Sequence, residues 1–251
     1  MIKDIYFTYV MLGVVVFVTT AYAVRLATRG AAASERVDAI GGTALVSQGV
    51  MRTTYWAVDP FVRGLVALGI TANGATWLAL VFGLGAGVAI GFAWYGLACM
   101  LATTSTLLDI LYGQIARFTN TGSNVGELLD AAIDRYTEFA FLAGMAFAMR
   151  ETAWQLALVL GAMLACFMVS YASAKAEAMH VKPPRGLMRR HERSTYLIAA
   201  AGFTPLVGPH LHAWFAEIPD TILLVVALAL VAVVGNGAAV LRLVRIGRAL
   251  R

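Results

Sequence analysis

Residues 109–134 read DILYGQIARFTNTGSNVGELLDAAID. They place three carboxylates, Asp109, Asp130 and Asp134, beside Arg117 within an otherwise apolar chain. Ionisable residues in such surroundings are rare and mark function by default. Asp109, Tyr112 or Gly113, and Ala116 or Arg117 recur every three to four residues, and so do Gly126, Asp130 and Asp134. Each set therefore lies along one helix face. The turn around residues 119–123 is short, so the two helices are expected to be antiparallel neighbours. At the α-helical rise, Asp109 and Asp134 both fall roughly 15 Å from that turn. The carboxylates should then face one another at matched depth. Uncompensated, they would be driven toward protonation. A divalent cation on oxygen ligands resolves the repulsion.

Working outward, the chain has 251 residues, of which 60% are hydrophobic and 13% charged. Its mean hydropathy is +0.77. A soluble domain would carry about twice that charge. The expected fold is an all-α polytopic membrane helical bundle, because long apolar helices satisfy their own backbone hydrogen bonds. Spans are expected near 6–26, 73–93, 96–118, 125–148, 153–178, 194–214 and 220–242. Residues 29–45 read as a polar linker. Residues 46–68, with Arg52, Asp59 and Arg63, suit an amphipathic helix in the membrane interface that Pro60 would kink. A helix packed only on protein fits that stretch equally well.

With the N-terminus outside, Lys3 and Arg150 are the outer basic residues. Arg25, Arg29, Arg36, Arg52, Arg63, Lys182, Arg185, Arg189, Arg190 and the 242–251 tail fall inside. The carboxylates then face the cytoplasm of an inner-membrane protein. The net charge of +5 points to anionic headgroups, with no aromatic interleaving of a nucleic-acid-binding kind. Cys99 and Cys166 lie in apolar spans and read as packing residues. The first span reads as an uncleaved anchor, since its apolar stretch is long and Arg25 and Arg29 follow it.

The 109–134 run resembles the CDP-alcohol phosphotransferase signature, D-x2-D-G-x2-A-R followed by G-x3-D-x3-D. Every fixed position matches except the second Asp, which is Tyr112. Residues 69–76, GITANGAT, resemble the family's G-[IV]-T-P-N-x-x-T segment, with Ala72 for Pro. The resemblance covers roughly 46–242. It implies a six-helix membrane domain over 46–251, preceded by an extra N-terminal transmembrane helix and linker over 1–45, and a homodimer. Its implied reaction moves a phosphatidyl group from CDP-diacylglycerol to a polar alcohol and releases CMP. Asp109, Asp130 and Asp134 would hold Mg2+ or Mn2+, Asp134 also serving as general base. Arg117 would bind the diphosphate. Gly113, Ala116 and Gly126 would leave room for the nucleotide, with Thr71, Asn73 and Thr76 near the cytidine.

Residues 170–198 resemble the branch that makes phosphatidylinositol phosphate. There, basic residues matching Arg135, Lys175 and Arg193 hold the acceptor's phosphate, which favours inositol 1-phosphate. Lys175 and Arg193 are expected at helix ends facing the bundle. Tyr112 weakens the metal site, because a phenol is a poor ligand for magnesium compared with a carboxylate. Three alternatives stand beside the enzyme: a catalytically inactive CDP-lipid-binding homologue, a structural ion-pair network with Arg117 and Arg135, and a cation path. The cation path is disfavoured because no acidic series continues along the other helices.

Overall fold

The computed structural model describes residues 4–31, 37, 48–181 and 186–251. Most of the expected linker, and Lys182 to Arg185 of the basic loop, lie outside them. The described residues form helices and no strand. They are α1 (Ile5–Arg29), α2 (Gln48–Ala67), α3 (Ala72–Gly91), α4 (Tyr95–Phe118), α5 (Asn124–Ala148), α6 (Ala153–Ala178), α7 (Arg190–Trp214) and α8 (Ile222–Ala249).

Every expected span corresponds to a helix. Of these, α1, α3, α4, α6 and α8 are long and apolar enough to cross a membrane. The other two, α5 and α7, carry charge instead: Asp130, Asp134, Arg135 and Glu138 on α5, and an Arg190-His191-Glu192-Arg193 start on α7. Helix α2 runs through Pro60, buries Val58 and Val62, and pairs Asp59 with Arg63 at 3.0 Å on its exposed side. That two-faced character is what the sequence led us to expect.

Four helix ends share one device. At Gly69, Ala93, Asn120 and His180 the backbone turns left-handed, with φ between 52° and 74°. In each case the next residue's N–H donates to a carbonyl five residues back, as Thr121 does to Ala116 at 3.0 Å and Trp94 does to Ala89 at 2.9 Å. This satisfies carbonyls that a helix end otherwise leaves unpaired. Asn120 tolerates that conformation better than most residues. Ser123 then accepts the N–H of Gly126 at 3.1 Å and caps α5. The short turn between α4 and α5 is thus built from an Asn stop and a Ser start.

The helices divide between two compact units, the first comprising Met1–Thr8, Gly83–Ala102 and Arg135–Arg251, the second Tyr9–Phe82 and Thr103–Asp134. The second unit packs Val58 and Val62 of α2, Ala72, Ala75 and Ala79 of α3, and Leu108, Leu111 and Ile115 of α4 into one cluster. The alanines let the backbones approach, and Ser105 donates to the Ala79 carbonyl at 2.7 Å.

In the first unit, Ile90, Leu142, Met145, Val159, Leu224 and Leu228 form the core. Gly87 and Gly144 allow α3 and α5 to touch backbone to backbone; a Cβ on Gly144 would strike the Gly87 carbonyl oxygen. The N-terminus is tied in here as well. The Asp4 carboxylate, 6% exposed, accepts the N–H groups of Gly96 at 2.7 Å and Leu97 at 3.0 Å. It caps the start of α4 from more than ninety residues away.

Candidate active site

Asp109 on α4 and Asp130 and Asp134 on α5 converge. One carboxylate oxygen from each lies within 4.8 Å of the other two, and all three side chains are half-buried. The register predicted from the 119–123 turn is the register observed. An all-oxygen, triply acidic donor set suits a hard divalent cation, which needs ligands at about 2.0–2.6 Å.

Tyr112 lies one turn along α4 from Asp109. Its ring packs against the apolar cluster of the second unit. Its hydroxyl reaches Gly126, where a Cβ would lie 2.8 Å from the Tyr112 hydroxyl, 3.2 Å from Asn73 Oδ1 and 3.3 Å from Ser123 Oγ. Gly126 is buried, and three polar side-chain atoms surround the space its missing Cβ leaves. Tyr112 therefore points along the small-residue face toward Asn73.

The remaining predicted residues divide. Gly113 and Ala116 are half-buried, Ala116 against the same apolar cluster. Arg117 is exposed in the last turn of α4, where a cation complements the helix dipole. Thr71 has a structural task, accepting the Gly74 N–H at 3.2 Å at the start of α3. Thr76 is 1% exposed and turned into the core. Lys175 is exposed, which corrects the expectation that it faces the bundle. Ala172 and Ala176 take the inward positions of that turn, and a long lysine stem carries its charge to water.

Arg193 is 1% exposed. Its Nε and Nη2 donate to Glu138 Oε1 at 3.1 and 2.7 Å, and its Nη1 donates to the Met188 carbonyl at 2.6 Å. Arg135 reaches the other oxygen of Glu138 at 3.7 Å. The structure thus brings Arg135 and Arg193 together through Glu138, a residue the sequence reading passed over. The signal was present: Glu138 continues the Asp130, Asp134 spacing by one more turn.

A profile of the CDP-alcohol phosphatidyltransferase family matches residues 69–247. The chain belongs to the CDP-alcohol phosphatidyltransferase family. Among similar proteins is the phosphatidylinositol phosphate synthase of Mycobacterium marinum, 32% identical over 158 residues, which are 57% of this chain and 63% of that protein. The archaetidylinositol phosphate synthase of Aeropyrum pernix is 34% identical over 101 residues, 40% of this chain and 50% of that one. The crystal structure of Mycobacterium tuberculosis phosphatidylinositol phosphate synthase with CDP-DAG bound superposes with a TM-score of 0.66 at 24% identity, covering 75% of this chain and 92% of that one. The fold of this CDP-alcohol phosphatidyltransferase family member is therefore that of a known membrane transferase, with Tyr112 at the second signature carboxylate.

Proposed function

We propose that this chain transfers a phosphatidyl group from CDP-diacylglycerol to a polar alcohol, inositol 1-phosphate foremost, and releases CMP. The observation that carries the reading is the convergence of Asp109, Asp130 and Asp134 within 4.8 Å, on the spacing the family uses. The names of the two relatives, phosphatidylinositol phosphate synthase and archaetidylinositol phosphate synthase, support an inositol phosphate acceptor. The mycobacterial synthase has also been crystallised in complex with manganese and citrate.

Asp109, Asp130 and Asp134 would hold Mg2+ or Mn2+. A bound divalent cation supplies charge neutralisation on the donor's diphosphate. Arg117 adds a fixed positive charge for the same diphosphate. Asp134 accepts the proton of the acceptor hydroxyl as its oxygen attacks the β-phosphorus and CMP leaves. Little covalent work falls to the protein, so positioning and charge set the rate. The protein acts as a homodimer in the inner membrane, with the site facing the cytoplasm.

Tyr112 favours a second reading, a homologue that binds the CDP-lipid without turning it over. The deciding assay is CMP release by purified protein in detergent, with CDP-diacylglycerol, Mg2+ or Mn2+, and an acceptor panel led by inositol 1-phosphate. Acceptor-dependent CMP is the expected result. Release only after Tyr112→Asp would establish the non-catalytic homologue. Absence of both release and CDP-diacylglycerol binding in both proteins would refute the family chemistry for this chain.

A further inference from the structure

Tyr112 stands on ground that a nucleotide would need. Between the carboxylates and the 119–123 turn the facing positions are small: Gly113 and Ala116 on α4, and Gly126 on α5, one turn before Asp130. Tyr112 is the bulky exception. Its ring packs on the apolar cluster to which Val58, Ala75 and Leu108 belong. Its hydroxyl lies so close over Gly126 that a Cβ there would meet it at 2.8 Å, with Asn73 Oδ1 at 3.2 Å and Ser123 Oγ at 3.3 Å. The space that the glycine opens is therefore taken by a side chain of the protein itself. Among the described residues the hydroxyl makes no hydrogen bond, so packing of the ring keeps it there. A nucleoside diphosphate is drawn to the same place. Cations on Asp109, Asp130 and Asp134 would fix one end of its diphosphate, and Arg117 in the last turn of α4 supplies positive charge on the turn side. A nucleoside on the Arg117 side of that diphosphate lies against Gly126. Phenol and nucleoside cannot both hold that position.

Resting on the donor reading above, we propose that Tyr112 is a built-in plug of the nucleotide slot. Its phenol competes with the nucleoside for the space over Gly126 and swings aside when a nucleotide binds. Apparent affinity is then the intrinsic affinity reduced by the fraction of chains whose phenol is displaced. The donor keeps a second hold through its acyl chains in the bilayer. CMP has the nucleotide alone, so the plug bears hardest on the product and limits inhibition by it.

The test has a sign. Wild type, Tyr112→Phe and Tyr112→Ala would be compared in detergent with Mn2+ by equilibrium binding of radiolabelled CMP and of CDP-diacylglycerol. Neither change adds a carboxylate, so a gain in nucleotide affinity cannot come from a repaired cation site, and the Mn2+ affinity of the bare protein should hold in all three. The expected result is a CMP Kd lowered about tenfold in Tyr112→Ala, as for a phenol that leaves the slot about a tenth of the time. Tyr112→Phe, which keeps the ring but removes the oxygen over Gly126, should show a smaller gain. Should Tyr112→Ala fail to fold for want of the packed ring, Tyr112→Leu, shorter and still apolar, carries the same expectation. Weaker CMP binding in Tyr112→Phe would mean that the hydroxyl donates to the nucleotide, and overturns the plug. Unchanged CMP binding in both variants overturns it as well. If CMP binds to none of the proteins, the CDP-diacylglycerol Kd decides by the same signs: donor binding without a gain in the variants overturns the plug and leaves the donor reading standing. Binding of neither ligand by any of the proteins overturns the donor reading and the plug together.

Discussion

Gly126→Ala is the sharpest probe of where Tyr112 points. The added Cβ would lie 2.8 Å from the Tyr112 hydroxyl, closer than a carbon and an oxygen tolerate, and 3.2 and 3.3 Å from Asn73 Oδ1 and Ser123 Oγ. The last two can yield by a few tenths of an ångström. The first cannot yield so readily, because the Tyr112 ring is wedged against the apolar cluster of α2, α3 and α4. Overpacking of this kind costs about 1–3 kcal/mol. Tyr112→Phe removes the offending oxygen and keeps the ring, so Gly126→Ala should cost roughly 1–2 kcal/mol less in that background, a coupling typical of residues in contact. In a chain of this length 1 kcal/mol moves the thermal midpoint by about 2–4 °C. The four proteins of the cycle would be melted in one detergent. Gly126→Ala should fall by several degrees alone and by clearly less when combined with Tyr112→Phe. Strictly additive shifts would mean that the phenol does not lie over Gly126, and the account of Tyr112 as the filler of the small-residue face would be wrong.

Other predictions test the fold and the site. Asp4→Ala removes a buried carboxylate that bonds two backbone N–H groups, so it should destabilise by about 2 kcal/mol, read as a drop in thermal midpoint. Asp4→Asn, which still accepts hydrogen bonds, should recover part of the loss. Ala93→Gly relieves a left-handed alanine and should stabilise by about 1 kcal/mol; a lower melting temperature would contradict the φ of 60° there. Asp130→Asn should weaken Mn2+ binding at least tenfold in an electron paramagnetic resonance titration, and unchanged binding would remove the carboxylate cluster as the cation site.

The parts of the molecule set by periodicity were legible. Asp109, Asp130 and Asp134 meet because helical rise and a short turn fix their depth, and both quantities can be read from spacing. The same spacing would have supplied Glu138, had the acidic face been followed one turn further. Contacts across long stretches of chain leave no such trace. Asp4 capping α4 depends on where two distant segments settle, and nothing local to Asp4 announces it. Thr71 has a task the motif does not announce: its hydroxyl accepts the Gly74 N–H and caps α3. Lys175 and Arg193 looked equivalent as basic residues at helix ends. Burial separates them, and burial depends on which neighbours are alanine and which is glutamate.

On the proposed function, charge would let the site work with a tyrosine in the signature. One divalent cation leaves three carboxylates about one charge negative, and two leave them about one charge positive. A fourth carboxylate at 112 would let two cations sit at neutrality before any donor arrived. With Tyr112, a second cation would gain its counter-charge only from the donor's diphosphate. The phenol therefore need not abolish chemistry. It should make occupancy of the site depend on the donor, so the Mn2+ titration would show about one tight cation in the bare protein and a second only with CDP-diacylglycerol present. Two tight cations without donor would show that some group other than Tyr112 supplies the missing charge, while one cation in both conditions would place the chain with the binders that do not turn over.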